Sequence, residues 1–156
     1  MNWTKLLASI AACQLAGFLG SQFTRSAIPS WYAQLQKPSF APPNWLFAPM
    51  WISLYLMMAV AAYLVWHKGL GFKGVGTALT VFLVQLLLNA LWSPVFFGLR
   101  SPLAGAVVIV VLWLAILATI IAFAKISQPA AWLLVPYLLW VSLATVLNIS
   151  IYFLNR

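Results

Sequence analysis

Apolar residues run along this chain in five long blocks with almost no alternation. They cover about Trp3 to Phe23, Trp45 to Trp66, Gly76 to Phe97, Pro102 to Ala124 and Pro129 to Phe153. A helix needs about 20 mostly apolar residues to cross the hydrocarbon core of a bilayer, and each block meets that length. Lipid offers no water to backbone N–H and C=O groups, so such segments satisfy them internally as helices. The apolar character is continuous and has no period of two, which argues against a membrane β-barrel. The expected fold class is all-α: an integral, multi-pass membrane bundle of five transmembrane helices, forming one domain over residues 1–156.

Four breaks separate the blocks. Residues 67–75 are Gly-rich, Arg100-Ser101-Pro102 is a tight link, and Lys125 to Pro129 is another, with Pro129 suited to a first helical turn. Links this short make neighbouring helices antiparallel. The long first loop, residues 24–44, is different. It holds Pro29, Pro38, Pro42 and Pro43 with Trp31, Tyr32 and Phe40 among them. A long, aromatic-rich loop in a compact domain is usually functional, and this one is expected to pack over one mouth of the bundle.

The polar positions inside the apolar blocks share helix faces, because residues three or four apart are neighbours. Gln85, Asn89, Trp92 and Phe96 form one stripe. Trp51, Tyr55 and Met58 form a second, and Trp140, Ala144 and Asn148 a third, with Pro136-Tyr137 one turn earlier. Buried amides can simply tie helices together. Trp3, Trp45, Trp66 and Trp132 fall at block ends, where interfacial indoles are expected. Trp51, Trp92 and Trp140 lie deeper, and an aromatic cavity with a few polar groups suits a flat hydrophobic ligand. Gly17, Gly20 and Gly105 form no GxxxG pair. The last residues, Leu147 to Arg156, fit a loose cholesterol-motif pattern.

Composition sharpens this picture. Hydrophobic residues make up 65% and charged residues 5%, with 8 Lys+Arg, 1 His and 0 Asp+Glu. No carboxylate side chain exists to act as general acid or base, to hold Mg²⁺ or Ca²⁺, or to relay protons, so carboxylate-based hydrolases and ion-coupled pumps are excluded. The net charge of +8 does not mark a nucleic-acid binder, because the cations lie singly between apolar blocks. Lys5, Lys68, Lys73 and Lys125 fall on one side, and Arg25, Lys37, Arg100 and Arg156 on the other, so the positive-inside rule is tied. Cys13 and His67 are single, too few for an intrachain disulfide or a Cys/His metal site. Ile10-Ala-Ala-Cys13 has the look of a lipoprotein cleavage site, but the apolar block continues past it, and the expectation is a retained first helix.

Several motifs together resemble one family. Trp31-Tyr32-x-x-Leu35-x-Lys37-Pro38-x-x-x-Pro42-Pro43 followed by Trp51-x-x-Leu54-Tyr55 is similar to the signature of the TspO/MBR family, the tryptophan-rich sensory and translocator proteins once called peripheral benzodiazepine receptors. Asn89-Ala-Leu-Trp92-Ser93-x-x-Phe96-Phe97 resembles its third-helix motif. Pro136-Tyr137-x-x-Trp140-x-x-x-Ala144-Thr145-x-x-Asn148 resembles its fifth-helix motif. The chain departs from the family pattern at Ala33, where an acidic residue often follows the Trp-Tyr pair.

The resemblance implies a five-helix bundle, commonly a homodimer, whose cavity opens toward the first loop and binds porphyrins, notably protoporphyrin IX. It also implies acceptance of synthetic ligands and, in some members, cholesterol. No obligatory cofactor or metal is implied; the porphyrin is a ligand, and the lipid bilayer is the other partner. By motif, the implied ligand-binding residues are Trp31, Pro42, Trp51, Tyr55, Asn89, Trp92, Trp140, Ala144 and Leu147. Lys37 or Arg25 near the mouth is expected to pair with porphyrin propionates. The expected function is a membrane receptor or sensor for porphyrins and other flat hydrophobic ligands, entering beneath the first loop. Light-dependent porphyrin breakdown, with Trp51 and Trp140 as the photochemical residues, is one alternative. Transport of porphyrin-like or sterol-like molecules is another, and a purely structural membrane subunit is a third.

Overall fold

The computed structural model describes all of residues 1–156 and contains helices and no strands. Five spans are long and apolar enough to cross a membrane. The first is helix α1, Trp3–Ala27. Next come α2, Asn44–Trp66, and α3, Val75–Ser93, the latter extended by one turn of π-helix at Pro94–Gly98. Helix α4 is Pro102–Ala124. The last span is split into α5, Gln128–Leu133, and α6, Val135–Asn155. The protein is an integral, multi-pass membrane protein.

Local chemistry explains the boundaries. The Asn2 side chain caps α1 by accepting from the Lys5 N–H, Ser101 caps α4 through the Ala104 N–H, and Ser127 caps α5 through the Ala130 N–H. Pro102 and Pro129 stand in the first turns of their helices, where a missing N–H costs nothing. Helix α1 runs to Ala27 rather than ending near Phe23, so the first loop is 28–43 and not 24–44. The added turn is polar in sequence, but Ser26 and Ser30 hydroxyls bond back to carbonyls of Phe23 and Ser26 and keep the turn satisfied. Arg25 lies in that last turn, where a cation complements the helix dipole.

Two prolines reshape the inner spans. Pro94 has no N–H to continue α3, and the ladder skips to the π spacing, with the Leu99 N–H donating to the Pro94 carbonyl at 2.9 Å. Pro136 also lacks the N–H that would continue the fifth span, and α5 ends in a tight turn, with the Leu134 N–H donating to the Ala131 carbonyl at 3.1 Å, before α6 begins, where the apolar run alone predicts a continuous helix. Left-handed Gly69 (φ 96) and Gly74 (φ 89) make the turn between α2 and α3.

The helices close into a ring. Helix α1 packs on α2 and α3, α3 on α4, α4 on α5 and α6, and α5 returns to α2. Met58, Ile116, Phe123 and Tyr137 are fully buried at its centre. Close approach needs glycine at two points. A methyl at Gly17 would overlap the Tyr55 ring, and one at Gly105 would sit 2.7 Å from Phe96 and 2.9 Å from Asn148 Oδ1. The first loop lies over one end of the ring. Trp31 packs on Phe96 and Phe97, and Tyr32, only 2% exposed, is set among Phe47, Phe96 and Phe97.

Candidate functional site

Helical spacing aims three stripes into the ring. From α2 come Phe47, Trp51 and Tyr55, each four residues apart; Trp51 stacks on Tyr55 with ring centroids 5.6 Å apart. Trp140 of α6 meets Trp51 edge-on at 6.4 Å and Phe47 at 6.1 Å. Trp92 of α3 stacks on Phe96 at 5.1 Å. The three deep indoles marked by the sequence therefore share one aromatic region below the loop.

A polar network forms the floor. The Tyr55 hydroxyl donates to Asn89 Oδ1, Asn89 Nδ2 donates to the Tyr137 hydroxyl at 2.7 Å, and that hydroxyl donates to Gln85 Oε1 at 2.8 Å. Every group there is buried, so each bond replaces a desolvated polar atom that lipid or apolar side chains cannot satisfy. Closer to the loop, Trp92 Nε1 donates to Asn148 Oδ1 at 3.0 Å, and Asn148 Nδ2 donates to the Pro102 carbonyl at 2.7 Å. Asn89 and Trp92 are expected from their motif to meet a ligand. The structure commits the Asn89 carboxamide and the Trp92 N–H to neighbouring helices.

Two hollows flank Trp51. The inner one, about 20 Å³, is lined by Tyr32, Phe47, Trp51, Trp92, Trp140, Ala144 and Leu147 among others. That is room for about one water. Two buried donors in its lining, the Tyr32 hydroxyl and the Trp140 indole N–H, have no hydrogen-bond partner. The outer one is a cleft between α1 and α2, about 590 Å³ in volume, reaching Asn89, Trp92 and Ser93 at its back. Its size is that of a typical small-molecule site, roughly 300–1,000 Å³. Phe47, Trp51 and Trp92 line both and form the wall between them.

Of the residues read from the sequence, Trp51 and Trp92 touch both hollows, Trp140, Ala144 and Leu147 the inner one, and Tyr55 and Asn89 the cleft. Trp31, Lys37 and Pro42 line neither. Lys37 turns away from the cavities: its ammonium donates to the Tyr32 and Leu35 carbonyls at 2.9 and 3.1 Å and lies 4.7 Å from the Tyr32 ring centre. It braces the loop, and Arg25 is the cation that borders the cleft. Sequence reasoning missed Phe47, although its spacing of four from Trp51 signals the shared face. It also missed Gln14, a lone amide in the middle of α1 that lines the cleft. The Tyr32 hydroxyl is outside the spanning helices, and burial pushes its pKa up to about 12.

The sequence is similar to known proteins along nearly its whole length. The family model for the TspO/MBR family matches residues 9–154. The tryptophan-rich protein TspO of Chlorobaculum tepidum is 47% identical over 150 residues, covering 96% of this chain and 95% of that protein. The protein of the same name from Archaeoglobus fulgidus is 46% identical over 155 residues, with 99% of each chain covered. The translocator protein of Homo sapiens is 38% identical over 151 residues, covering 96% of this chain and 89% of that one. With indoles converging below an aromatic first loop and a match along nearly its whole length, this chain belongs to the TspO/MBR family.

Proposed function

We propose that this membrane protein is a receptor for flat hydrophobic ligands with acidic edges, protoporphyrin IX foremost, bound in the hollows around Trp51. The observation that carries the reading is the cleft of about 590 Å³, walled by the Trp51 and Trp92 rings and bordered by the Arg25 cation. A planar macrocycle gains stacking and buried area on such indoles, and a propionate gains a charge-assisted bond from a guanidinium. The unpaired Tyr32 and Trp140 donors add support, because a buried donor without an acceptor is costly until a ligand supplies one. The chain has no acidic side chain to pair with a cationic ligand, which biases recognition toward acids. Equilibrium titration in nanodiscs with protoporphyrin IX and, separately, with a sterol tests the reading. A shifted Soret band with saturable binding supports it, and binding of the sterol alone removes it.

A second reading, light-driven breakdown of the bound porphyrin, draws on the two indoles that meet edge-on at 6.4 Å, Trp51 and Trp140. Soret bleaching under illumination no faster than in empty nanodiscs refutes it.

A further inference from the structure

We infer that the α1–α2 cleft takes its ligand sideways from the bilayer, and that it is a docking site for a membrane-dissolved amphiphilic acid, an apolar body ending in a carboxylate. The inference does not need that acid to be a porphyrin.

Its direction of opening comes first. Phe18 of α1 and Ile52 of α2 line the cleft and are 58% and 59% exposed, so both edges of the opening face lipid. The loop end is closed. Tyr32 is buried, Trp31 packs on Phe96 and Phe97, and the Asn155 side chain clasps the backbone of Gln36 on both sides, accepting from its N–H at 2.9 Å and donating to its carbonyl at 2.8 Å. Access beneath the loop, expected from the sequence, would require breaking this clasp. Access between α1 and α2 requires breaking nothing.

The chemistry of the lining comes second. Gln14, Ser21, Thr24, Arg25 and Asn44 all border the cleft, although α1 and α2 are membrane spans. Polar groups at such positions are expensive and mark ligand or ion sites. Thr24 is satisfied by Ser93, with the two hydroxyls 2.6 Å apart, and Ser21 bonds back to the Phe18 carbonyl. Gln14 is half-buried and Arg25 is exposed at the mouth of the cleft, and neither side chain hydrogen-bonds to a neighbouring side chain. Because the sequence holds 0 Asp+Glu, Arg25 has no side-chain carboxylate to pair with anywhere in this chain. Any anion that pairs with it comes from outside the side chains of this protein, at the depth where lipid headgroups and amphiphile heads lie. Gln14 is eleven residues earlier on α1, about 16 Å deeper at helical rise. A ligand with its carboxylate on Arg25 would run its body past Phe18 and Gly17 toward that amide.

The test uses the whole protein in neutral phosphatidylcholine nanodiscs with a photoreactive diazirine palmitate, its methyl ester, and a diazirine phosphatidylglycerol, each mapped by mass spectrometry. The expected result is saturable labelling by the acid, concentrated in residues 14–28 and 44–55. The ester, and Arg25→Gln with the acid, should each label at least about tenfold less, the scale of one lost charge-assisted bond. Ala48→Phe, which fills the cleft at an exposed position, should abolish labelling, and Arg100→Gln should leave it unchanged. Even, non-saturating label over the lipid faces of α3 and α4, or equal labelling by acid and ester, would overturn the inference. Preferential labelling by the phosphatidylglycerol would overturn the carboxylate assignment. The outcome is read without porphyrin, so it stands or falls apart from the receptor reading.

Discussion

Trp92 donates its indole N–H to Asn148 Oδ1 across 3.0 Å and so ties α3 to α6 inside the membrane. The same Asn148 donates to the Pro102 carbonyl at the start of α4, which makes one carboxamide the joint of three helices. Gly105 leaves the space for it. Asn148→Leu strands the Trp92 donor and the Pro102 acceptor together. Interhelical hydrogen bonds in bilayers are worth about 0.6 kcal/mol on average and up to about 1.7, so a loss of roughly 1–3 kcal/mol is expected. Reversible unfolding in mixed micelles checks it.

Gly17 and Gly76 give opposite results on the same substitution. Gly17→Ala drives a methyl into the Tyr55 ring, displaces the hydroxyl that donates to Asn89, and costs about 1–3 kcal/mol by overpacking. Gly76 lies in α3, and a methyl placed there would meet nothing within 4 Å, so Gly76→Ala stabilises by up to about 1 kcal/mol through helix propensity. Paired thermal melts of the two variants measure the contrast.

Trp140→Phe separates ligand binding from stability. The Trp140 N–H is buried and unpartnered, so removing it breaks no hydrogen bond in the ligand-free protein. The melting point of the free protein is expected to hold, with a change under about 1 kcal/mol, while porphyrin affinity falls several-fold as one donor is lost. A melt and a titration on the same preparation check both halves.

Burial holds the Tyr32 hydroxyl protonated to about pH 12 against an ordinary value of 10. A raised pKa favours the protonated folded loop when the unfolded group has begun to ionise. The neutral hydroxyl's contribution is therefore complete below pH 10 and is lost as the pH rises through about 12. Tyrosinate absorbance should lose one tyrosine's signal near pH 12 in Tyr32→Phe, and the loop of that variant should no longer loosen between pH 10 and about 12.

The five spans were legible because burial in lipid selects long apolar runs, and α4 keeps the bounds its sequence suggests, Pro102 to Ala124. The last turn of α1 was not, because Thr24, Arg25 and Ser26 read as loop until hydroxyl-to-carbonyl bonds are seen to satisfy them. Helical spacing placed Trp51, Trp92 and Trp140 on inward faces. It could not say what lies across from them, and so Trp92 and Asn148, each marked on its own stripe, were not paired with each other. The cleft is the least legible feature. It depends on how α1 is set against α2 and α3, and Gln14 gains meaning only from that placement.

The central claim is that Trp51, the wall shared by the cleft and the inner hollow, is the indole on which an acid-edged planar ligand rests, with Trp140 meeting it edge-on from the inner side. Titration of protoporphyrin IX into the wild type and a Trp51→Phe/Trp140→Phe double variant, both in nanodiscs and followed by the Soret band, tests it most directly. The account predicts saturable binding to the wild type and at least about tenfold weaker binding to the double variant, matching the loss of indole stacking and one donor. Equal affinity in the two proteins would contradict it.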